Sequence, residues 1–132
     1  MSQAAGAWTS ETIEWQEVSG DGTKYALLEG RRDAPVVFSY AFYIPAGFWD
    51  PPHAHTADAR VFVAHGTLYL GYGEVFEREK VQAHPAGSYL IVPAGARHFD
   101  GSDEETLIVG VAVGPWATHY VDPNLGGSAG TE

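Results

Sequence analysis

Pro51-Pro52-His53-Ala54-His55 is the stretch on which the reading of this chain turns. The two prolines disfavour helix and hold the backbone extended. In an extended strand residues two apart share a face, with their backbones roughly 7 Å apart. His53 and His55 therefore present two imidazoles to the same side. A third, His98, follows the turn residues Pro93-Ala94-Gly95. Neutral imidazole is a ligand for zinc, iron, nickel and copper, and three such ligands with a position left open make a reactive centre and not a sealed structural one.

Outward from this stretch the chain reads as short strands punctuated by glycine and proline. Upstream, Val36 to Ile44 is β-branched or aromatic on both faces, as in a strand covered on each side, and Pro45-Ala46-Gly47 closes it. Earlier still, Thr12 to Val18 alternates, Gly20-Asp21-Gly22 marks a turn, and Lys24 to Leu28 is a further strand. Downstream, a turn at Thr56-Ala57-Asp58 leads to strands at Val61 to His65 and Thr67 to Tyr72, on either side of Gly66. Glu74 to Lys80 is a charged, solvated stretch; Ser88 to Val92, Arg97 to Asp100 and the apolar Glu105 to Val113 are strands. About ten short strands without a convincing long amphipathic helix argue for an all-β barrel or sandwich. Periodicity alone leaves a jelly roll and an immunoglobulin-like sandwich both open.

A chain of 132 residues is one domain with a core of its own. Its expected extent is residues 11–123, between a flexible N-terminus at 1–10 and a disordered glycine-rich tail at 124–132. There is no cysteine, which excludes disulfides, thiolate zinc sites, iron–sulfur clusters and cysteine nucleophiles. Seven lysines and arginines stand against seventeen carboxylates, for a net charge of −10. Such a surface repels phosphates, so nucleic acid and anionic membrane are excluded as expected partners and a small molecule is favoured. The start lacks a basic region followed by a long apolar run, and Leu107 to Val113 is too short to span a bilayer, so the expected location is cytoplasmic.

Gly47, His53, His55 and Gly66 are spaced as in the first motif of the cupins, and Gly87, Pro93, Gly95 and His98 as in their second. The chain thus resembles a small single-domain bacterial cupin. The resemblance implies an all-β jelly-roll barrel (a double-stranded β-helix) that holds its ligands inside. It also implies one divalent metal ion per subunit on His53, His55 and His98, and pairing of two copies into a homodimer. Fe(II) or Zn(II) is favoured, with nickel, copper and manganese as alternatives.

One position departs from the family's pattern. Where the first motif carries a metal-binding glutamate this chain has Ala59, and the position of a late asparagine falls on Ser102. With that carboxylate position vacant, three neutral imidazoles leave the charge of a divalent ion uncompensated, which favours an anionic chelate and acidifies bound water. Asp58 could serve as a substitute ligand only if a bulge turned it inward; Arg60 points away on strict alternation. His65 would face the interior if Ala59, Val61 and Val63 do, and otherwise lies on the rim. Trp49, Tyr89 and Phe99 are the aromatic candidates for a substrate wall, and no catalytic base stands out.

The expected activity is that of a metal-dependent enzyme on a small anionic or dicarbonyl molecule. The acetylacetone and cysteine dioxygenases, which the three-histidine site resembles, point to an Fe(II) dioxygenase. Two alternatives stand beside it: a non-oxidative lyase, isomerase or cyclase with the metal as Lewis acid, and a non-catalytic binding or sensor module like the zinc-binding cupin domains of some anti-sigma factors.

Overall fold

The computed structural model describes residues 4–125; residues 1–3 and most of the expected tail, 126–132, lie outside it. Eleven strands occur among the described residues: β1 (Glu17–Val18), β2 (Lys24–Glu29), β3 (Val37–Ile44), β4 (Trp49–His55), β5 (Ala59–His65), β6 (Thr67–Tyr72), β7 (Gln82–Pro85), β8 (Tyr89–Val92), β9 (His98–Gly101), β10 (Thr106–Val113) and β11 (Thr118–Tyr120). They form two antiparallel sheets, in the orders β1-β2-β3-β10-β5-β8 and β11-β4-β9-β6-β7. The architecture is the jelly-roll barrel. Its core draws Phe38, Phe42 and Val63 from the first sheet and Leu68 and Leu70 from the second.

β3 lies between β2 and β10, and every residue from Phe38 to Phe42 is buried, in keeping with its apolar composition on both faces. The ladder opposite it admits Tyr40 because Gly110 is its cross-strand partner. A Cβ on Gly110 would lie 2.2 Å from the Tyr40 ring.

Three elements differ from the reading of the sequence, among them β11, a three-residue strand that the reading did not include. The first strand is only two residues long, because Gln16 turns its side-chain amide onto the backbone of Leu27, donating to the carbonyl and accepting from the N–H. A side chain there does the work of a main-chain ladder, which ends the pairing. β7, by contrast, was not legible: it is a short edge strand of mainly exposed residues with no apolar alternation to announce it.

Two bulges set which side chains enter the barrel. Along β4 and β9, Asp50 pairs with Asp100 and His53 with His98, so β4 carries an extra residue at Pro51-Pro52. Proline has no N–H to give to a ladder, so the irregularity falls where pairing is weakest. Along β5 and β10, Leu107 opposes His65 while Ile108 opposes Val63, which leaves Ala64 as the extra residue.

Gly66 joins β5 to β6 with φ +78, and a Cβ there would lie 2.3 Å from the carbonyl oxygen of Glu105. Gly47 also has a positive φ, +88, but nothing within 4 Å of the corresponding position. Gly47→Ala is therefore expected to cost about 1 kcal/mol of backbone strain, and Gly66→Ala more than about 2 kcal/mol because backbone must also move. Denaturant melts of the two variants check the order.

Candidate metal centre

His53 and His55 come from β4 and His98 from β9, with His53 and His98 directly paired across the ladder. All three side chains are buried. Their ring centroids lie 4.3 Å (His53–His98), 5.0 Å (His53–His55) and 5.1 Å (His55–His98) apart. Each Nδ1 is engaged. That of His53 donates to the Pro51 carbonyl at 2.6 Å, that of His98 donates to the Ala96 carbonyl at 2.9 Å, and that of His55 shares a hydrogen bond with the Thr118 hydroxyl at 3.0 Å. Fixing Nδ1 in this way leaves Nε2 as the lone-pair nitrogen. One nitrogen from each ring can be chosen so that all lie within 4.8 Å of one another.

Whether these residues suit a metal can be tested on His53, whose buried Nε2 has no hydrogen-bond partner. Buried polar atoms are seldom left so, and a cation satisfies this one. Three neutral imidazoles fit a borderline divalent ion such as Zn(II) or Fe(II). The second motif is tied to the first by the backbone: Gly95 N–H donates to the His55 carbonyl at 2.9 Å.

Asp50 and Asp100 also point into this region, and the reading of the sequence missed both. They are buried, paired across β4 and β9, and lie with their carboxylates 3.6 Å (Asp50 Oδ2) and 4.0 Å (Asp100 Oδ1) from His53 Nε2. The Tyr120 hydroxyl donates to Asp50 Oδ1 at 2.9 Å, and its ring packs 5.3 Å from that of His53. Strict alternation from His53 and His55 puts Asp50 on the opposite face; the bulge at Pro51-Pro52 reverses its direction. Asp100 carried a signal that could have been used, since it stands two residues beyond His98 on the same strand face.

The remaining candidates separate by position. Ala59 is buried and, with His55, His98 and Asp100, lines a cavity of about 20 Å³, room for about one water molecule or an ion. Asp58 is exposed and accepts from Ala94 N–H at 2.7 Å, so it holds the turn before His98 and does not enter the cavity. Arg60 is exposed, in an outer cleft of about 530 Å³ bounded by Trp116. His65 is exposed because the extra residue Ala64 turns it outward.

None of the three aromatic candidates touches the histidines. Trp49 packs against Tyr69 and Phe76 beneath the Arg78 guanidinium. Phe99 is buried under Phe76. Tyr89 is 61% exposed on the outside of the first sheet. The rings that do pack on the site are Trp116, stacked on His55 with centroids 4.3 Å apart and planes at 24°, Tyr120 on His53 and Tyr72 at 6.3 Å from His98. Trp116 follows β10 in a connection whose alternation says nothing of the barrel interior.

The fold and this arrangement define a cupin with a histidine-rich potential metal site. The chain belongs to the ChrR Cupin-like domain family, whose model matches residues 3–117. It is 31% identical over 86 residues to Germin-like protein 5-1 of Oryza sativa subsp. japonica, a match covering 64% of this chain and 38% of that protein. Among solved structures it is similar to the polyketide cyclase RemF from Streptomyces resistomycificus, with a TM-score of 0.70 and 16% identity over 89% of this chain and 86% of that one. It is also similar to KdgF from Halomonas sp., with a TM-score of 0.63 and 14% identity over 83% of this chain and 94% of that one. At these identities the structural likeness concerns the fold.

Burial is the main force on the protonation of the site. It pushes the His55 imidazole down to about 2 and that of His98 to about 3, with the neighbouring His53 adding to both and the Ala96 carbonyl opposing the shift at His98. Both rings are thus neutral, ready to ligate, across the ordinary pH range. In the unfolded chain they titrate near 6.5. Below that pH the unfolded state takes up protons that the folded state refuses, so the metal-free protein loses stability as pH falls, by up to about 1.4 kcal/mol per pH unit for each ring until the folded value is reached. Thermal melts of metal-free protein should be flat between about pH 8 and 7 and decline below about 6.5. In a His55→Gln/His98→Gln variant the decline should be shallower.

Proposed function

We propose that this cupin is a metal-dependent enzyme acting on a small anionic or dicarbonyl organic molecule, with Fe(II)-dependent dioxygenation as the leading reaction. The observation that carries the proposal is the clustering of three buried imidazoles, each anchored through Nδ1, with ligand nitrogens within 4.8 Å of one another and two of them, His55 and His98, lining a cavity the size of an ion or a water molecule. His53, His55 and His98 would hold the metal. A divalent ion bound there supplies Lewis acidity and, as Fe(II), the means to bring substrate and dioxygen together at positions the protein leaves open.

The chain's own residues supply orientation and shelter. Hydrogen bonds to Pro51, Thr118 and Ala96 fix the imidazole planes, so little reorganisation accompanies ligand binding. Trp116 separates the histidines from the outer cleft and keeps bulk water off His55. In that cleft the Arg60 guanidinium makes no ion pair among the described residues and is available to an anionic substrate.

A second reading is favoured by the buried pair Asp50 and Asp100. Carboxylates beside a metal site can accept protons, as a non-oxidative isomerase, lyase or cyclase requires. Metal analysis of protein purified without added metal, followed by oxygen uptake with iron restored, separates the two. Substrate-dependent oxygen uptake with iron supports dioxygenation. Turnover of a carbonyl compound with zinc and no oxygen use supports the second reading, and metal binding without turnover on a broad carbonyl and carboxylate panel makes the protein a binding module. His98→Ala is expected to abolish stoichiometric metal binding, read by elemental analysis; retention of one ion per chain would remove the basis of both enzymatic readings.

A further inference from the structure

We propose that Asp100 is a fourth ligand of the metal, closing the site from the side of His53, and that Asp50 and Tyr120 position it. The inference rests on the metal-binding reading above and deepens it.

The burial of these two carboxylates is unusual. Asp50 and Asp100 face each other across adjacent strands, 2% and 5% exposed, in a barrel otherwise walled by groups such as Leu68, Leu70 and Ile108. Carboxylates withdrawn from water in this way are ordinarily paired with a cation or coordinate one. Both face His53 Nε2, which is wholly buried and has no hydrogen-bond partner. At 3.6 and 4.0 Å the carboxylates are beyond hydrogen-bond reach of that nitrogen. Two ligands of one ion, each bonded at about 2.1 Å, stand roughly 3 to 3.5 Å apart. The ligand atoms form two overlapping clusters that share His53, one of His53, His55 and His98 and one of Asp50, His53 and Asp100, each within 4.8 Å.

The structure distinguishes between the two. Asp50 has Oδ1 engaged by the Tyr120 hydroxyl, which suits a positioning residue. Asp100 lines the small cavity together with His55 and His98, and Asp50 is not among its lining residues. A group that faces the same space as the other two imidazoles, and stands beside the orphaned nitrogen of the third, is placed to complete their set. His98 and Asp100 reach that space from one strand face, two residues apart, and the opposite wall at Ala59 leaves room for the ion. With this carboxylate bound, a divalent ion retains a net charge of +1 and not +2. An oxygen ligand also makes the site more hospitable to harder ions such as Fe(II) and Mn(II) than nitrogen alone would.

The test is calorimetric titration of the full chain, stripped of metal, with Zn(II), with the metal-free fold of each variant checked by circular dichroism. Asp100→Asn, which keeps the shape and removes the charge, is expected to weaken zinc at least about 10-fold. Ala59→Glu adds a carboxylate at the opposite wall of the same cavity and is expected to restore most of that loss in the Asp100→Asn background. Asp100→Asn protein that binds zinc as tightly as the parent overturns the inference while leaving the three-histidine site intact. A parent chain that binds no zinc, or a His98→Ala chain that binds it unchanged, overturns the metal-binding reading itself. If Asp100→Asn does not fold, a crystal structure of the zinc-loaded parent decides: an Asp100 oxygen within about 2.2 Å of the ion supports the assignment, and an ion held by the histidines and water alone rejects it.

Discussion

The antiparallel pairing of β4 with β9 is the constraint on which the rest of this protein depends. It places His53 opposite His98 and Asp50 opposite Asp100, so four ionisable side chains arrive at one point of the barrel through main-chain geometry alone. The register is held from outside the pair as well. Gly95 N–H reaches the His55 carbonyl, and Asp58 captures Ala94 N–H, so the turn before His98 cannot slide along β4 without losing both. A one-residue slip of either strand would turn its histidine and aspartate away from those of its partner.

That geometry runs against solvation. Burying imidazoles and carboxylates together is unfavourable unless something compensates them, and the barrel manages this unevenly. Nδ1 atoms receive backbone carbonyls or a hydroxyl, and Asp50 receives Tyr120, whereas the Nε2 of His53 receives nothing. The site thus keeps one buried nitrogen lone pair that the side chains themselves do not satisfy. Preorganisation through the Nδ1 contacts is what lets a metal site keep its ligands oriented while positions for other molecules stay open.

The electrostatic picture differs from the one Ala59 alone suggests. A vacancy at that position predicts a centre with only nitrogen donors and an uncompensated charge. Two carboxylates stand beside His53 on the histidine strands β4 and β9 themselves, so the vacancy is a property of one position and not of the site. The aromatic wall differs in a similar way. Trp49, Tyr89 and Phe99 stand near the histidines in sequence, yet they pack on other surfaces, while Trp116 arrives from a connection after β10 to stack on His55. Nearness along a strand does not mean a shared face, because successive side chains point to opposite sides.

The sequence by itself determined the all-β class, the positions of most strands and turns, and the three histidines with the prolines and glycines that present them. These are local properties, carried by period-two alternation, by proline's fixed φ and by glycine at positive φ, as at Gly66 and Gly95. Only the tertiary structure decided that Asp50 faces inward, that His65 faces out, and that Trp116 stacks on His55. The first two follow from single extra residues at Pro51-Pro52 and Ala64, which reverse the parity of everything beyond them. The third follows from closure of the barrel, which brings together segments some sixty residues apart, as Trp116 and His55 are, and for which no local pattern in the chain is a guide.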